Sequence, residues 1–135
     1  STLFPYTTLF RSRWSRKPMV QTSPGSVLRV HLRESDRHQG RPLYEAIVEV
    51  CRRNAIAGAT VLRGLEGYGE FAEIHRSRAL GHAEPVVVVI ADTAENIARV
   101  QPEIEALMVG GGLLMLSAAE LRRVEQDADS PTPAR

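Results

Sequence analysis

The chain has 135 residues, 43% of them hydrophobic and 24% charged, with a formal net charge of +1 and one cysteine, Cys51. That length suits one domain with one core, a lone cysteine excludes an internal disulfide, and no apolar run approaches the roughly 20 residues that span a bilayer. The positive charge belongs to the ends: from Ser26 to Gln126, twelve arginines and no lysine stand against fourteen carboxylates, a net −2, which excludes the footprint of a nucleic-acid binder.

In chain order, residues 1–25 read as a disordered leader. Within it Thr2–Ser12, T-L-F-P-Y-T-T-L-F-R-S, reads like the conceptual translation of a DNA-sequencing adapter, so the native chain is expected to start at Met19, or upstream of it if Arg13–Pro18 is genuine sequence. One domain is expected over residues 26–126. Its first strand is Val27–Arg33, alternating V-L-R-V-H-L-R, and Glu34–Arg41 is turn-rich. Pro42 suits the first turn of a helix, whose apolar face is Leu43, Ala46, Ile47, Val50 and Cys51. Ala59–Leu65 is the second strand. Glycines at 58, 64, 67 and 69 surround it, and the polar stretch Glu70–Glu84 after it is long for a connection in so small a domain. Connections of that length are usually functional.

Pro85–Ala91, P-V-V-V-V-I-A, is an apolar run suited to a central strand covered on both faces. Asp92-Thr93-Ala94-Glu95 resembles a capping box and opens a second helix with Ile97, Val100, Ile104, Leu107 and Met108 inward. Pro102 is expected to kink or restart it. Gly110-Gly111-Gly112 ends the helix, Leu113–Leu116 is a short fourth strand, and Ser117–Gln126 is expected to form a last short helix. Asp127–Arg135 reads as a disordered tail. The order β-α-β-β-α-β predicts the ferredoxin-like α+β class: a four-stranded antiparallel sheet with two helices on one face. The other face would be bare in a monomer, which predicts oligomerisation through it.

Chemistry-bearing residues are sparse. His31, His38, His75 and His82 lack metal-ligand spacing, and Cys51 sits on an apolar helix face, where a small buried hydrophobe is expected. No triad spacing or nucleophile elbow is present, so the chain reads as non-enzymatic. Gly67-Tyr68-Gly69 lacks the third glycine of a dinucleotide fingerprint and opens no helix. Gly110–Gly112 reads either as a phosphate-wrapping turn or as a helix stop. Arg63, Arg76 and Arg78 are candidate anion contacts, because arginine presents a rigid fork of donors.

Five segments carry a resemblance: L-R-V-H-L-R-E-S-D (28–36), G-R-P-L-Y-E-A-I-V-E (40–49), A-G-A-T-V-L-R-G-L-E-G-Y-G (57–69), I-H-R-S-R-A-L (74–80) and P-V-V-V-V-I-A-D-T-A-E-N-I (85–97). From about Val27 to Glu125 the chain resembles the domain-of-unknown-function family 190, which looks like a branch of the PII-like superfamily. The lone cysteine and the lack of a spanning segment read as cytoplasmic, and the resemblance implies a homotrimer that binds a small effector, such as an adenine nucleotide, in clefts between subunits. It implies that Gly69–Glu84 is the flexible T-loop through which PII proteins reach a partner. Carried over by motif, Thr60, Gly67, Gly69, Gly110, Gly111 and Gly112 would meet the ligand, joined by Arg63 as the anion-contact candidate within the same segment. Glu70, Phe71, Glu73, His75, Arg76 and Arg78 would meet the partner. The chain departs from the PII pattern after the triple glycine, where Leu113 and Leu114 replace the phosphate-holding lysine, and no tyrosine follows Tyr68 for modification. Association of such proteins with fluoride channels implies a membrane transporter as partner, with no insertion of this chain into the membrane. The alternative reading is a CutA-like metal-handling protein using His75, His82, Glu73 and Glu84.

Overall fold

The computed structural model describes residues 18–69, 72–76 and 84–126. Its sheet follows from alternation. In β1 (Met19–Arg33) Leu28, Val30 and Leu32 are buried and the residues between them half-buried. In β7 (Pro85–Asp92) Val86, Val88, Ile90 and Asp92 are buried in the same rhythm. The strands run antiparallel with Leu28 opposite Ile90, Val30 opposite Val88 and Leu32 opposite Val86, so the buried residues share one face. On the far side of β7 lies β4 (Gly58–Arg63), with Thr60 opposite Val89 and Arg63 opposite Val86. β8 (Leu113–Glu125) flanks β1, giving the order β4-β7-β1-β8. This is the expected ferredoxin-like sheet.

The two helices cover its buried face. α1 (Leu43–Arg53) buries Leu43, Ala46, Ile47, Val50 and Cys51, as the spacing predicts. α2 (Ala94–Leu107) buries Ile97, Val100 and Ile104, and Thr93 caps it by accepting from the Asn96 N–H. The two faces merge with the sheet into one core that includes Met108. Between β1 and α1, the two-residue strands β2 (Arg37–His38) and β3 (Arg41–Pro42) pair in a small hairpin.

Several expectations are corrected. β1 begins at Met19 rather than at Val27. Ser117–Gln126 is not a helix: its residues through Glu125 continue β8. A ten-residue helix without a covered face is marginal in water, whereas pairing beside the lengthened β1 supplies hydrogen-bond partners along the strand. The outer parts of these two strands, Met19–Ser23 and Arg122–Glu125, form a unit apart from Pro24–Leu121; in it Arg122 Nη1 lies 3.5 Å from Thr22 Oγ1. Pro102 does not restart α2. Pro102 and Ala98 are both exposed, so the carbonyl deprived of its donor can turn to water. The Glu70–Glu84 connection is also less irregular than expected. Within it β6 (Ala72–Arg76) pairs with β5 (Glu66–Gly69), which lies immediately before the connection, and a bulge interrupts the pairing between Gly67 and Gly69. Residues 1–17, 70–71, 77–83 and 127–135 lie outside the described residues, and with them most of the leader and the tail.

Cys51 is 2% exposed, and burial pushes its thiol up to about 11. A thiol so placed offers neither thiolate nor access. Folded protein at pH 8 is expected to leave Cys51 unlabelled by iodoacetamide, with one label taken up in guanidinium chloride, read by mass spectrometry. Labelling of folded protein at the unfolded rate would refute this.

Candidate functional site

The β4–β7 connection leaves the sheet at Arg63–Gly64 and returns at Glu84–Pro85. The Gly64 N–H donates to the Pro85 carbonyl at 2.7 Å, and the Glu34 N–H donates to the Glu84 carbonyl at 2.8 Å. Gly64 is required by this approach, because a β-carbon there would lie 2.7 Å from Pro85 Cγ. Arg63 extends its guanidinium across the same junction. Its Nη2 lies 2.6 Å from Glu34 Oε1, and its Nε lies 3.1 Å from Glu84 Oε2. One cation therefore faces two carboxylates. Nearby, Asp36 accepts from the Arg33 backbone and side chain, which fixes the turn that carries Glu34.

The entry to β4 is anchored from below. Asp92 is 6% exposed, and its Oδ2 accepts from the Ala57 N–H at 2.8 Å. Its Oδ1 accepts from the Thr93 N–H at 2.6 Å and from Asn96 Nδ2 at 3.0 Å. Burial alone would raise this carboxyl. The hydrogen bonds from Ala57, Thr93 and Asn96, with the Arg99 charge behind them, outweigh burial and hold it below the usual aspartate range. Arg99 also donates to the Asn54 carbonyl at 2.8 Å, tying the end of α1 to α2.

The triple glycine lies elsewhere. After α2 the Gly111 N–H donates to the Met108 carbonyl at 3.0 Å. Gly111 and Gly112 take φ of 90° and 154°, and a β-carbon on Gly112 would meet Met108 Cε and, at 3.1 Å, the His31 carbonyl of β1. Only glycine suits that return into β8. The turn is thus a helix stop by construction, and Gly110 stays exposed at its tip.

The residues singled out from sequence fall into two groups. Thr60 is exposed on β4, Arg63 ends that strand, and Gly67 and Gly69 lie in β5. Gly110–Gly112 lead into β8. Since β4 and β8 are opposite edges of the sheet, one chain separates the groups by three strand spacings, about 14 Å. Glu73, His75 and Arg76 are on β6, where the backbone alone is described. Glu70, Phe71, Arg78 and His82 lie outside the described residues, the last a member of the metal-handling alternative. Among the described residues no group of three or more His, Cys, Asp or Glu could hold a metal ion. No described helix is long and apolar enough to cross a membrane.

Sequence reading missed Glu34 as a partner of Arg63 and Asp92 as a buried anchor. Asp92 gave a signal, a carboxylate closing an apolar strand immediately before a threonine cap. Glu34, remote in sequence from Arg63, gave none.

Comparisons with known proteins agree with this architecture. Residues 25–121 match the model of the family DUF190, described as Uncharacterized ACR, COG1993. The chain is 33% identical over 104 residues to the UPF0166 protein MJ1524 of Methanocaldococcus jannaschii, covering 73% of this chain and 93% of the relative. It is 35% identical over 97 residues to a UPF0166 protein of Aquifex aeolicus, covering 70% and 90%. Among solved structures it is similar in fold to CPII, a nitrogen regulatory PII-like protein of Thiomonas intermedia K12 bound to ADP, AMP and bicarbonate. That match has a TM-score of 0.56 at 13% identity, covering 75% of this chain and 98% of that one.

Proposed function

The chain belongs to the DUF190 family, and from that premise we propose that it is a non-enzymatic, cytoplasmic regulatory protein of PII-like type. It assembles as a homotrimer and takes an adenine nucleotide in each cleft between subunits. The observation that carries the reading is the split site: Thr60 and Arg63 sit at one sheet edge and Gly110–Gly112 at the other. A head-to-tail ring of identical chains sets one edge against the opposite edge of the next, which joins the two groups three times over. Nucleotides bound by the PII-like CPII fold support the ligand class.

In this reading Gly69–Glu84 is the signalling arm, and effector binding changes its affinity for a partner. Glu70, Phe71, Glu73, His75, Arg76 and Arg78 meet that partner, a membrane transporter of fluoride-channel type. Leu113 and Leu114 follow the glycines where a phosphate-holding lysine would stand, so phosphate recognition falls to Arg63 and the backbone of the turn, beside contacts to adenine and ribose. Isothermal titration of the full chain with ATP, ADP, AMP and cyclic AMP tests this. Saturable binding of one nucleotide per chain is expected, and Thr60→Ala is expected to weaken it. Absence of binding across the panel removes the nucleotide.

A further inference from the structure

The ion network at the root of the β4–β7 connection is unequal in its access to solvent. The Arg63 side chain is 60% exposed, against 20% for Glu34 and 13% for Glu84. An anion arriving from solvent therefore meets the cation first and the carboxylates hardly at all. Both contacts of Arg63 use Nη2 and Nε, so Nη1 takes part in neither. Glu34 and Glu84 are also joined through their backbones, and Gly64 is joined to Pro85. Arg63 thus bridges both carboxylates at the place where the connection leaves the sheet and returns to it.

We propose that Arg63 is an anion-released latch: it bridges Glu34 and Glu84 to keep the root of the connection closed, and a phosphate-type anion that takes its exposed guanidinium frees the Glu84 end. The proposal rests on the reading of Arg63 as an effector contact and adds a regulation to it, since the two carboxylates compete with the effector. The exchange gives up one charge-assisted hydrogen bond, to Glu34, and one ion pair, to Glu84, whose buried Oε2 accepts no hydrogen bond. It gains the two-pronged contact an arginine makes with a phosphate-type anion. Exposed ion pairs are individually weak, so a modest anion affinity suffices to shift the balance. Coupling of this sort is reciprocal: whatever closes the root weakens anion binding by the same factor.

The test uses the full chain with inorganic pyrophosphate as probe, followed by calorimetry and by hydrogen exchange at the Glu34 and Gly64 amides. Glu34→Gln and Glu84→Gln are each expected to bind pyrophosphate about five-fold tighter than wild type, and Arg63→Ala to lose binding. Without ligand, Arg63→Ala is expected to exchange both amides several-fold faster than wild type, and saturating pyrophosphate to bring wild type toward that rate. Arg63→Lys, which keeps the charge without the fork, separates lost geometry from misfolding and is expected to fall between. Glutamine variants that bind no tighter, or amides equally protected in Arg63→Ala, overturn the latch while leaving nucleotide binding to the panel untouched. Arg63→Ala binding pyrophosphate and ADP as wild type does overturns the effector reading of this residue, and the latch with it.

Discussion

In size-exclusion chromatography with light scattering, wild type is expected to run as the proposed trimer and a chain carrying Leu62→Glu and Met115→Glu as a monomer. The expectation comes from the sheet face that the helices leave bare. Register puts Leu62 opposite Val87, and Val87 opposite His31, on that face; Thr60, Val89 and Arg29 form the next row. Arg29 Nη1 reaches Ser117 Oγ at 3.4 Å, and Leu114 packs against the core, so alternation turns Leu113, Met115 and Ser117 toward the bare face. Antiparallel sheets with a solvated face usually carry polar residues there. Here Leu62, Leu113 and Met115 are 52%, 49% and 45% exposed around half-buried valines. Covering the exposed half of each leucine or methionine contributes about 1 kcal/mol, and burying an unpaired glutamate costs more than that. Both terms recur in every copy. The core lies on the opposite face, so the variant is expected to keep its far-ultraviolet circular dichroism. A trimeric variant would remove this face as the interface, and a monomeric wild type would remove the ring itself.

How much of this was legible depends on whether a residue's environment is set locally. Leu43, Ala46, Ile47, Val50 and Cys51 announce α1 because a helix buries every third or fourth residue, and all five are buried. The valines of β7 announce a strand, although they alternate between buried and half-buried instead of being enclosed on both sides within one chain. The outer half of β8 gave no such signal. Its side chains are mostly exposed, and what decides its conformation is a partner strand nearly 100 positions earlier in the sequence. The same nonlocality hid the Arg63 network, which joins three segments remote from one another in sequence. It also hid the division of the candidate site, because Thr60 and Gly112 can be assigned to opposite edges only once strand order is known.

Replacing Asp92 with alanine is expected to cost about 3 kcal/mol of stability, and with asparagine about 2 kcal/mol, measured by urea denaturation at pH 7. Alanine leaves the Ala57 and Thr93 N–H groups and the Asn96 amide without their acceptor in a site that is 6% exposed. Asparagine keeps one oxygen for Thr93 and Asn96, but it turns an NH₂ toward the Ala57 N–H, donor against donor. The pH dependence separates charge from shape. The folded carboxyl lies below its unfolded value, so its contribution is complete above that value, about pH 4, and is lost as pH falls through the depressed folded value. The gap between wild type and Asp92→Asn is therefore expected to narrow when denaturation is repeated near pH 3. A gap that stays constant would mean that shape, and not charge, anchors the site. The functional consequence follows from Ala57, which the carboxylate holds immediately before β4. Loosening that bond frees the entry of the strand that carries Thr60 and Arg63, so Asp92→Asn is expected to weaken adenine-nucleotide binding at temperatures where the fold persists. Unchanged binding in a destabilised variant would confine Asp92 to the core, and would leave the latch at Arg63, Glu34 and Glu84 as the element that positions the edge.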